Sequence, residues 1–442
     1  MRDALLLGII VVSLLATLRY PFVGILLWAW FVIMNPHQMA YGVYGLQLNV
    51  IIAAVTLVSL IVHGEFRRFA LDRLTTLLLL FAFWLTVSQA FSLDPASSAV
   101  YYDRFIKLLV FVALCAQMTT SKLRFHALLW MLVIGVGFFA LKGAAFTIVT
   151  LGQFRVQGPV NTIMEDNNHI GIIMATILPL ILYLRAQAAA RIVKTGLLVL
   201  FAATVLAILG TQSRGAFVAL LVFASFFWLR SRRKLSILVA LAVLLLPAIA
   251  FMPAKWKERM ETIAEATADA SFMGRVDAWI INTEIAVAHP LTGAGLRNPY
   301  LPKIAASVDP ARAASAKAAH SIYFEVLGGS GFVGLGLYLA LLATAFFTAL
   351  SLHRRAREPS AQPWSSRFGY FAQMALVVFG VGGATVSLEM WDGYLIIVAL
   401  VAAAARLARA PAPAAAHGEI VAKLRWRVAA RGRSTNARPR SA

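Results

Sequence analysis

Negative charge is scarce in this chain: 19 Asp and Glu stand against 40 Lys and Arg in 442 residues, and charged residues of both signs make up only 13%. So little charge beside 60% apolar residues excludes an ordinary soluble enzyme and a disordered tail protein, and places the chain in the polytopic membrane class. Cysteine is nearly absent too. The single Cys115 cannot form an intramolecular disulfide, and among apolar neighbours it reads as a small packing residue. No phosphate-cradling glycine loop, no cysteine-rich site and no nucleophile elbow occurs. Internal repeats and inverted half-sequences are also lacking, which weighs against a transporter. The first apolar run has only Arg2 before it and no small-residue cleavage site after it, so it is expected to stay as an anchor.

What the chain has instead is runs of about 20 apolar residues, the length that crosses a bilayer as helix. Spans are predicted near 4–18, 22–35, 47–63, 74–92, 104–118, 127–149, 169–184, 195–211, 215–229, 235–252, 321–350, 368–388 and 393–407. The break Arg19-Tyr20-Pro21 leaves the first two short, so the count is 12 or 13. The fold class expected is an all-α polytopic integral membrane protein with one long periplasmic loop of short helices. We divide it into an amino-terminal transmembrane half (1–190), central transmembrane helices (191–252), a periplasmic loop (253–320), carboxy-terminal helices (321–408) and a basic disordered cytoplasmic tail (409–442).

A net charge of +21 invites a nucleic-acid reading, but its placement argues against one. Basic clusters fall in alternate loops (Arg67, Arg68 and Arg73; Lys122 and Arg124; Arg185, Arg191 and Lys194; Arg230 to Lys234; Arg354 to Arg357). The intervening loops carry Asp94 and Asp103, Glu165 and Asp166, or Glu389 and Asp392. This is the positive-inside pattern, and charge here reports topology. It puts 153–168, 212–214, 253–320 and 389–392 on one outer face, the periplasm of a bacterial inner membrane. No nucleic-acid partner is expected.

Three features on that face carry chemistry. The break Thr211-Gln212-Ser213-Arg214-Gly215 places a guanidinium, which never loses its charge, in a turn of a few residues between apolar runs. It must snorkel to the interface, pair with an acid or hold an anion. In the 253–320 loop, eight Lys/Arg nearly balance seven Asp/Glu. Residues 254–269 read as an amphipathic surface helix, and a second helix from Gly274 to Pro290 carries Arg275, with Val276, Trp279, Ile280 and Glu284 near one face. Arg214 and Arg275 are the natural phosphate clamps, because a planar guanidinium matches phosphate oxygens two at a time; the bland alternative for Arg275 is a pair with Asp277 or Glu284.

The third feature is His320, opening the long apolar run that contains Glu325 and then Gly328, Gly329, Gly331 and Gly334, glycines that let a neighbouring helix approach closely. A helix start disfavours the imidazolium, and a neutral imidazole can act as general base. Taken alone, a solvated capping histidine is the commoner outcome. Glu325 is placed to reach the same cavity, and Arg297 is a further basic candidate beside Arg155, Lys303, Arg312 and Lys317. Asp166 and Asn168, in Glu165-Asp-Asn-Asn-His169, suit either helix capping or contact with sugar hydroxyls. His169 with Asp166 supplies too few ligands for a metal, so neither a metal nor a cofactor is expected.

Taken in order, Ser213-Arg214-Gly215, Gly274-Arg275 with Pro290 and Gly293-x-Gly295, and His320 with Gly331-x-x-Gly334 resemble the O-antigen ligase and polymerase superfamily. Arg19-Tyr-Pro-x-x-Gly24, Met34-Asn-Pro-His37 and Gly158-Pro with Asp166-Asn-Asn168 resemble its O-glycosylation ligase branch, associated with exosortase A systems. The resemblance covers most of residues 1–350. It implies a glycosyltransferase that moves a glycan from undecaprenyl diphosphate to an acceptor on lipid, protein or glycan, without metal or nucleotide. By the same resemblance His320 matches the essential histidine, and Arg214 and Arg275 the diphosphate-binding arginines. The chain departs from the His-Asn-x-x-Leu pattern at Ser321 and Phe324, and has Gly329 where ligases often carry an acid; these changes bear on the acceptor. A polymerase of the same superfamily, a flippase of lipid-linked sugar and a scaffold of an export complex are the rival readings. An exosortase or exopolysaccharide system in the same organism is an implied association.

Overall fold

The computed structural model describes residues 2–40, 42, 45–231, 233–236, 238–239, 242–243, 270–355 and 362–409. Within them the regular structure is helical, and most helices overlap the predicted apolar runs, although the helix predicted at 104–118 begins at Pro95 and that predicted at 368–388 runs from Pro363 to Gly383. They are α1 (Arg2–Arg19), α2 (Pro21–Met34), α3 (Leu48–Val62), α4 (Arg73–Ala90), α5 (Pro95–Met118), α6 (Lys122–Val149) and α7 (Asn167–Gln187), followed by α8 (Arg191–Gly210) and α9 (Arg214–Arg230). After these come α10 (Ala270–Ala288), α11 (Ile322–Arg354), α12 (Pro363–Gly383) and α13 (Asp392–Arg409). Five of them, α4, α6, α7, α8 and α11, are long and apolar enough to cross a membrane; α2 and α3 are shorter apolar helices. The chain is an all-α polytopic membrane protein. Of the predicted 235–252 span only 235, 236, 238, 239, 242 and 243 are described, all helical; the 254–269 helix and the tail from 410 lie outside the described residues.

Short polar side chains at the bundle ends start the helices. Asp72 accepts from the Thr75 backbone N–H at 2.9 Å to open α4, Asp94 from that of Ser97 at 3.1 Å to open α5, and Ser121 from that of Arg124 at 3.2 Å to open α6. Each such cap satisfies a donor that the first helical turn leaves over, a contribution of about 1 kcal/mol. The Arg19-Tyr-Pro break turns the chain so that α1 and α2 pack on each other.

The centre of the bundle is α7. Of its most apolar stretch 78% is buried, against 28% for α11, and it packs on α6, α8, α9 and α12. A helix covered on all sides is a fixed mount, and its first turn supplies one wall of the site. Cys115 is fully buried on α5, as expected of a packing residue.

The described loop between α10 and α11 folds onto the bundle through backbone pairing. Within α11, Gly331 leaves helical geometry at φ 71° and ψ −174°, a region essentially restricted to glycine. The freed groups pair with the loop: Ala294 N–H donates to the Gly328 carbonyl at 2.9 Å, Gly295 N–H to that of Gly329 at 3.1 Å, and Phe332 N–H to that of Pro290 at 2.9 Å. A Cβ on Gly331 would lie 2.3 Å from the Leu291 carbonyl oxygen. Ser88 on α4 locks the crossing by donating to the Thr292 carbonyl at 2.6 Å and the Gly329 carbonyl at 3.0 Å. The sequence expectation was that these glycines admit a neighbouring helix. At Gly331 it is the loop backbone that enters, because the helix breaks there.

Candidate active site

Three chain segments meet where α7 and α9 begin. Asp166 caps α7, its Oδ1 accepting from the backbone N–H groups of Asn168 (2.8 Å) and His169 (3.3 Å). Asn167 Nδ2 donates to the Thr211 carbonyl at 2.8 Å, and the Ser213 hydroxyl donates to Asn168 Oδ1 at 2.7 Å. Ser213 in turn caps α9 by accepting from Ala216 N–H at 3.2 Å. The polar break 211–213 is therefore stitched to the start of α7, with Gln212 in the left-handed region (φ 53°). Arg214, half-buried, is the first residue of α9.

The turn after α12 closes the opposite wall. A Cβ on Gly215 would stand 2.3 Å from Thr385 Oγ1, so the α9 start and this turn touch. Arg275 Nη1 donates to the Thr385 carbonyl at 3.3 Å. Thr385 thus links the Arg214 end of α9 with the Arg275 guanidinium. Asp277, on the same helix as Arg275, lies 3.4 Å from Arg312 Nε. The fully buried residues of α10 are Ala278, Ile281, Asn282, Ile285 and Ala286, displaced from the face that carries Val276, Trp279, Ile280 and Glu284. The displacement follows from the approach of α11, whose Gly328 faces Asn282.

His320 precedes α11 by two residues instead of opening it, and holds a left-handed backbone (φ 47°). Its ring centroid is 6.4 Å from that of His169, and its Nδ1 is buried without a hydrogen-bond partner. The residue before it is held from two sides: Ala319 N–H donates to Glu325 Oε1 at 2.9 Å, while its carbonyl accepts from Trp279 Nε1 at 2.7 Å. Trp279 also stacks on Phe324, with centroids 5.2 Å apart. Burial pushes the imidazole pKa down to about 4, helped by the charges of Arg275, His169 and Lys317 and opposed by Asp166. The ring is accordingly neutral at ordinary pH.

Glu325 and Arg297 belong to a second, deeper layer. Both Glu325 oxygens are engaged by protein donors: Oε2 accepts from the Tyr300 hydroxyl at 2.6 Å, and Oε1 from the Ser387 hydroxyl at 2.5 Å as well as from Ala319 N–H. Arg297, also left-handed (φ 58°), lies over the ring of Tyr101 at 4.6 Å and of Tyr300 at 5.6 Å. Its Nη2 is 3.9 Å from Glu389 Oε1. Glu389 is 2% exposed, and Glu389 Oε2, Arg297 Nε and His169 Nε2 are buried without hydrogen-bond partners.

The structure thus brings His320, Arg275, Asp166 and Asn168 to one place with the start of α9, and sets Glu325 and Arg297 behind them. Sequence reading passed over His169 as more than a failed metal ligand, treated Glu389 only as a topology marker, and missed Tyr101, Tyr300, Thr385 and Ser387. The one available signal was an acid and two hydroxyls (Thr385, Ser387, Glu389) in a short turn between apolar helices.

Two segments of the chain match known protein families. Residues 196–339 match the O-antigen ligase family, and residues 1–189 match a family of unknown function. Among curated proteins none matches. The segment that carries Arg214, Arg275 and His320 thus lies within the stretch that matches the O-antigen ligase family.

Proposed function

With the match of residues 196–339 to the O-antigen ligase family as the premise, we propose that the chain is a membrane glycosyltransferase. It moves a glycan from undecaprenyl diphosphate to an acceptor hydroxyl at the outer face of the inner membrane. The observation that carries this reading is a partly buried imidazole beside an arginine tied to the start of α9: the Arg275 charge acts on His320, Arg275 donates to the Thr385 carbonyl, and Thr385 meets Gly215 next to Arg214.

Arg275 and Arg214 hold the donor diphosphate and offset the negative charge that grows on it as the anomeric C–O bond breaks, the effect of cations fixed in place before the reaction. His320 takes the proton of the acceptor hydroxyl while the acceptor oxygen forms the new bond to the anomeric carbon. The bonding pair of the broken bond leaves with undecaprenyl diphosphate, and the proton on His320 passes to that leaving group or to water. Displacement in one step inverts the anomeric carbon.

A base with a pKa near 4 is weak for work at neutral pH. The donor raises that pKa part of the way, because its diphosphate offsets the Arg275 charge, while the larger effect of burial remains. Donor binding therefore strengthens the base. Glu325 acts as a positioning residue in this reading, since it holds the Ala319 backbone and so the strained turn at His320. Asp166 and Asn168 fix the wall that faces the sugar, and Arg297 belongs to the layer behind.

The test is deletion of the gene, complemented by wild type or by His320→Ala, with analysis of lipid-linked glycan. Accumulation of diphosphate-linked glycan of normal chain length in both the deletion and the mutant supports ligation. Accumulation of single repeat units identifies a polymerase instead. Unchanged glycan defeats the enzyme reading.

A further inference from the structure

On the far side of the 150–166 loop from His320 lies a cavity of about 1240 Å³ that the transfer reading does not use. Its walls come from the start of α1, the end of α2, the last turns of α6 and the loop itself. Met34, Phe138, Phe139 and Phe146 give it an apolar floor, and Arg2, Lys142 and Arg155 its charge. Among the described residues no carboxylate lines it. Asp3 accepts from the Gly42 backbone N–H at 3.2 Å and Glu165 from that of Asn161 at 2.8 Å. Among the described residues no acid pairs with Arg2, Lys142 or Arg155; Lys142 Nζ lies 5.5 Å from the centre of the Phe138 ring.

Snorkelling explains one long cation at the end of a spanning helix, as Lys142 is on α6. It does not explain three cations from three separate elements around one apolar cavity. Such a cavity complements an amphiphile whose head is anionic and whose tail is hydrocarbon. Its volume exceeds that of an ordinary small-molecule pocket, leaving room for a head group and the first part of its chains. The last turns of α6 and the starting turn of α1 put it at the level where apolar helix meets water.

We propose that this cavity binds a phosphorylated membrane lipid, with Arg2, Lys142 and Arg155 on the phosphate and the Phe138–Phe146 face of α6 along the chains. The 150–166 loop is the shared wall: Gly158 to Asn161 line the cavity, while its other end carries Asp166 and holds His169 through a 2.8 Å contact between Nδ1 and the Ile163 carbonyl. The lipid is therefore seated next to the candidate active site, separated from it by one layer of chain. This proposal stands apart from the transfer reading.

The full chain is purified with Arg214→Gln and Arg275→Gln, so that the proposed diphosphate site does not contribute, and titrated with palmitoyl-oleoyl phosphatidic acid or phosphatidylcholine under native mass spectrometry. Phosphatidic acid is expected to bind at least about tenfold more tightly, in line with three basic residues near one anionic head group. That preference should vanish in Arg2→Gln/Lys142→Gln/Arg155→Gln and persist in Arg2→Lys/Lys142→Arg/Arg155→Lys. Preference retained in the glutamine variant overturns the proposal. So does displacement of the lipid by an equal concentration of inorganic phosphate, because the apolar floor would then contribute nothing.

Discussion

Two groups of cations lie on either side of the 150–166 loop. On one side Arg275 and Arg297 are held, one by the Thr385 carbonyl and the other by two aromatic rings and Glu389, with Arg214 half-buried at the head of α9. On the other, Arg2, Lys142 and Arg155 are exposed at the edge of an apolar cavity. Both groups are arginine or lysine in the same kind of sequence context, yet they suit different work. A guanidinium oriented in advance can act on charge that develops during a reaction, because it does not have to reorganise at that moment. A solvated cation lends attraction to an anion but little direction, and salt screens it.

The sharpest way to break this contrast is at His320. His320→Ala should lower glycan transfer by about 10²- to 10⁴-fold, the range for loss of a general base, while the purified protein keeps its helical circular dichroism. Arg275→Gln comes next, with a loss of about 10²- to 10³-fold in kcat if the charge acts on the leaving diphosphate. Arg275→Lys should restore little of it, since an ammonium does not reproduce the planar fork. Equal rates for lysine and arginine would make the two cation groups alike after all.

Gly331→Ala attacks the crossing that carries Arg297. The added methyl meets the Leu291 carbonyl in a backbone region that alanine avoids, so thermal unfolding of the purified chain should show a loss of about 1–3 kcal/mol or more. Glu325→Gln removes one charge but keeps the shape. It should lower kcat several-fold, as far as His320 is displaced, and leave KM for the donor nearly unchanged. A change confined to KM would move Glu325 to the substrate.

The pH dependence is subtler. His320 titrates near 4 in the folded chain and near 6.5 when unfolded, so folding favours its neutral form. The stability it contributes is complete above about pH 6.5 and is lost as pH falls toward 4. For kcat/KM, which reports the free enzyme, the acid limb should lie near pH 4, and Lys317→Gln should move it upward because one depressing charge is gone. A wild-type limb at 6.5 would mean that the imidazole is solvated. The smallest effect belongs to the cavity: Arg155→Gln alone should alter stability by no more than about 0.5 kcal/mol, as exposed substitutions do.

The sequence by itself determined which segments are helical and, less closely, where they end. Apolar runs of spanning length and the Arg19-Tyr-Pro break are local, and local pattern suffices for them, whereas the α5 start at Pro95, capped by Asp94, lies nine residues before the predicted 104 because a polar first turn leaves no apolar run to read. It also marked Arg214, Arg275 and His320, because a charge or a histidine between apolar runs is conspicuous wherever the chain later puts it. Only the tertiary structure decided what those residues meet. Ser88 and Gly329 bond across 241 positions, and Ser387 reaches Glu325 across 62. No periodicity encodes such partners, since they depend on which helices become neighbours. For the same reason Glu389 read as a loop acid until the fold buried it beside Arg297, and Gly331 read as a packing residue until the loop backbone filled the place of its missing side chain.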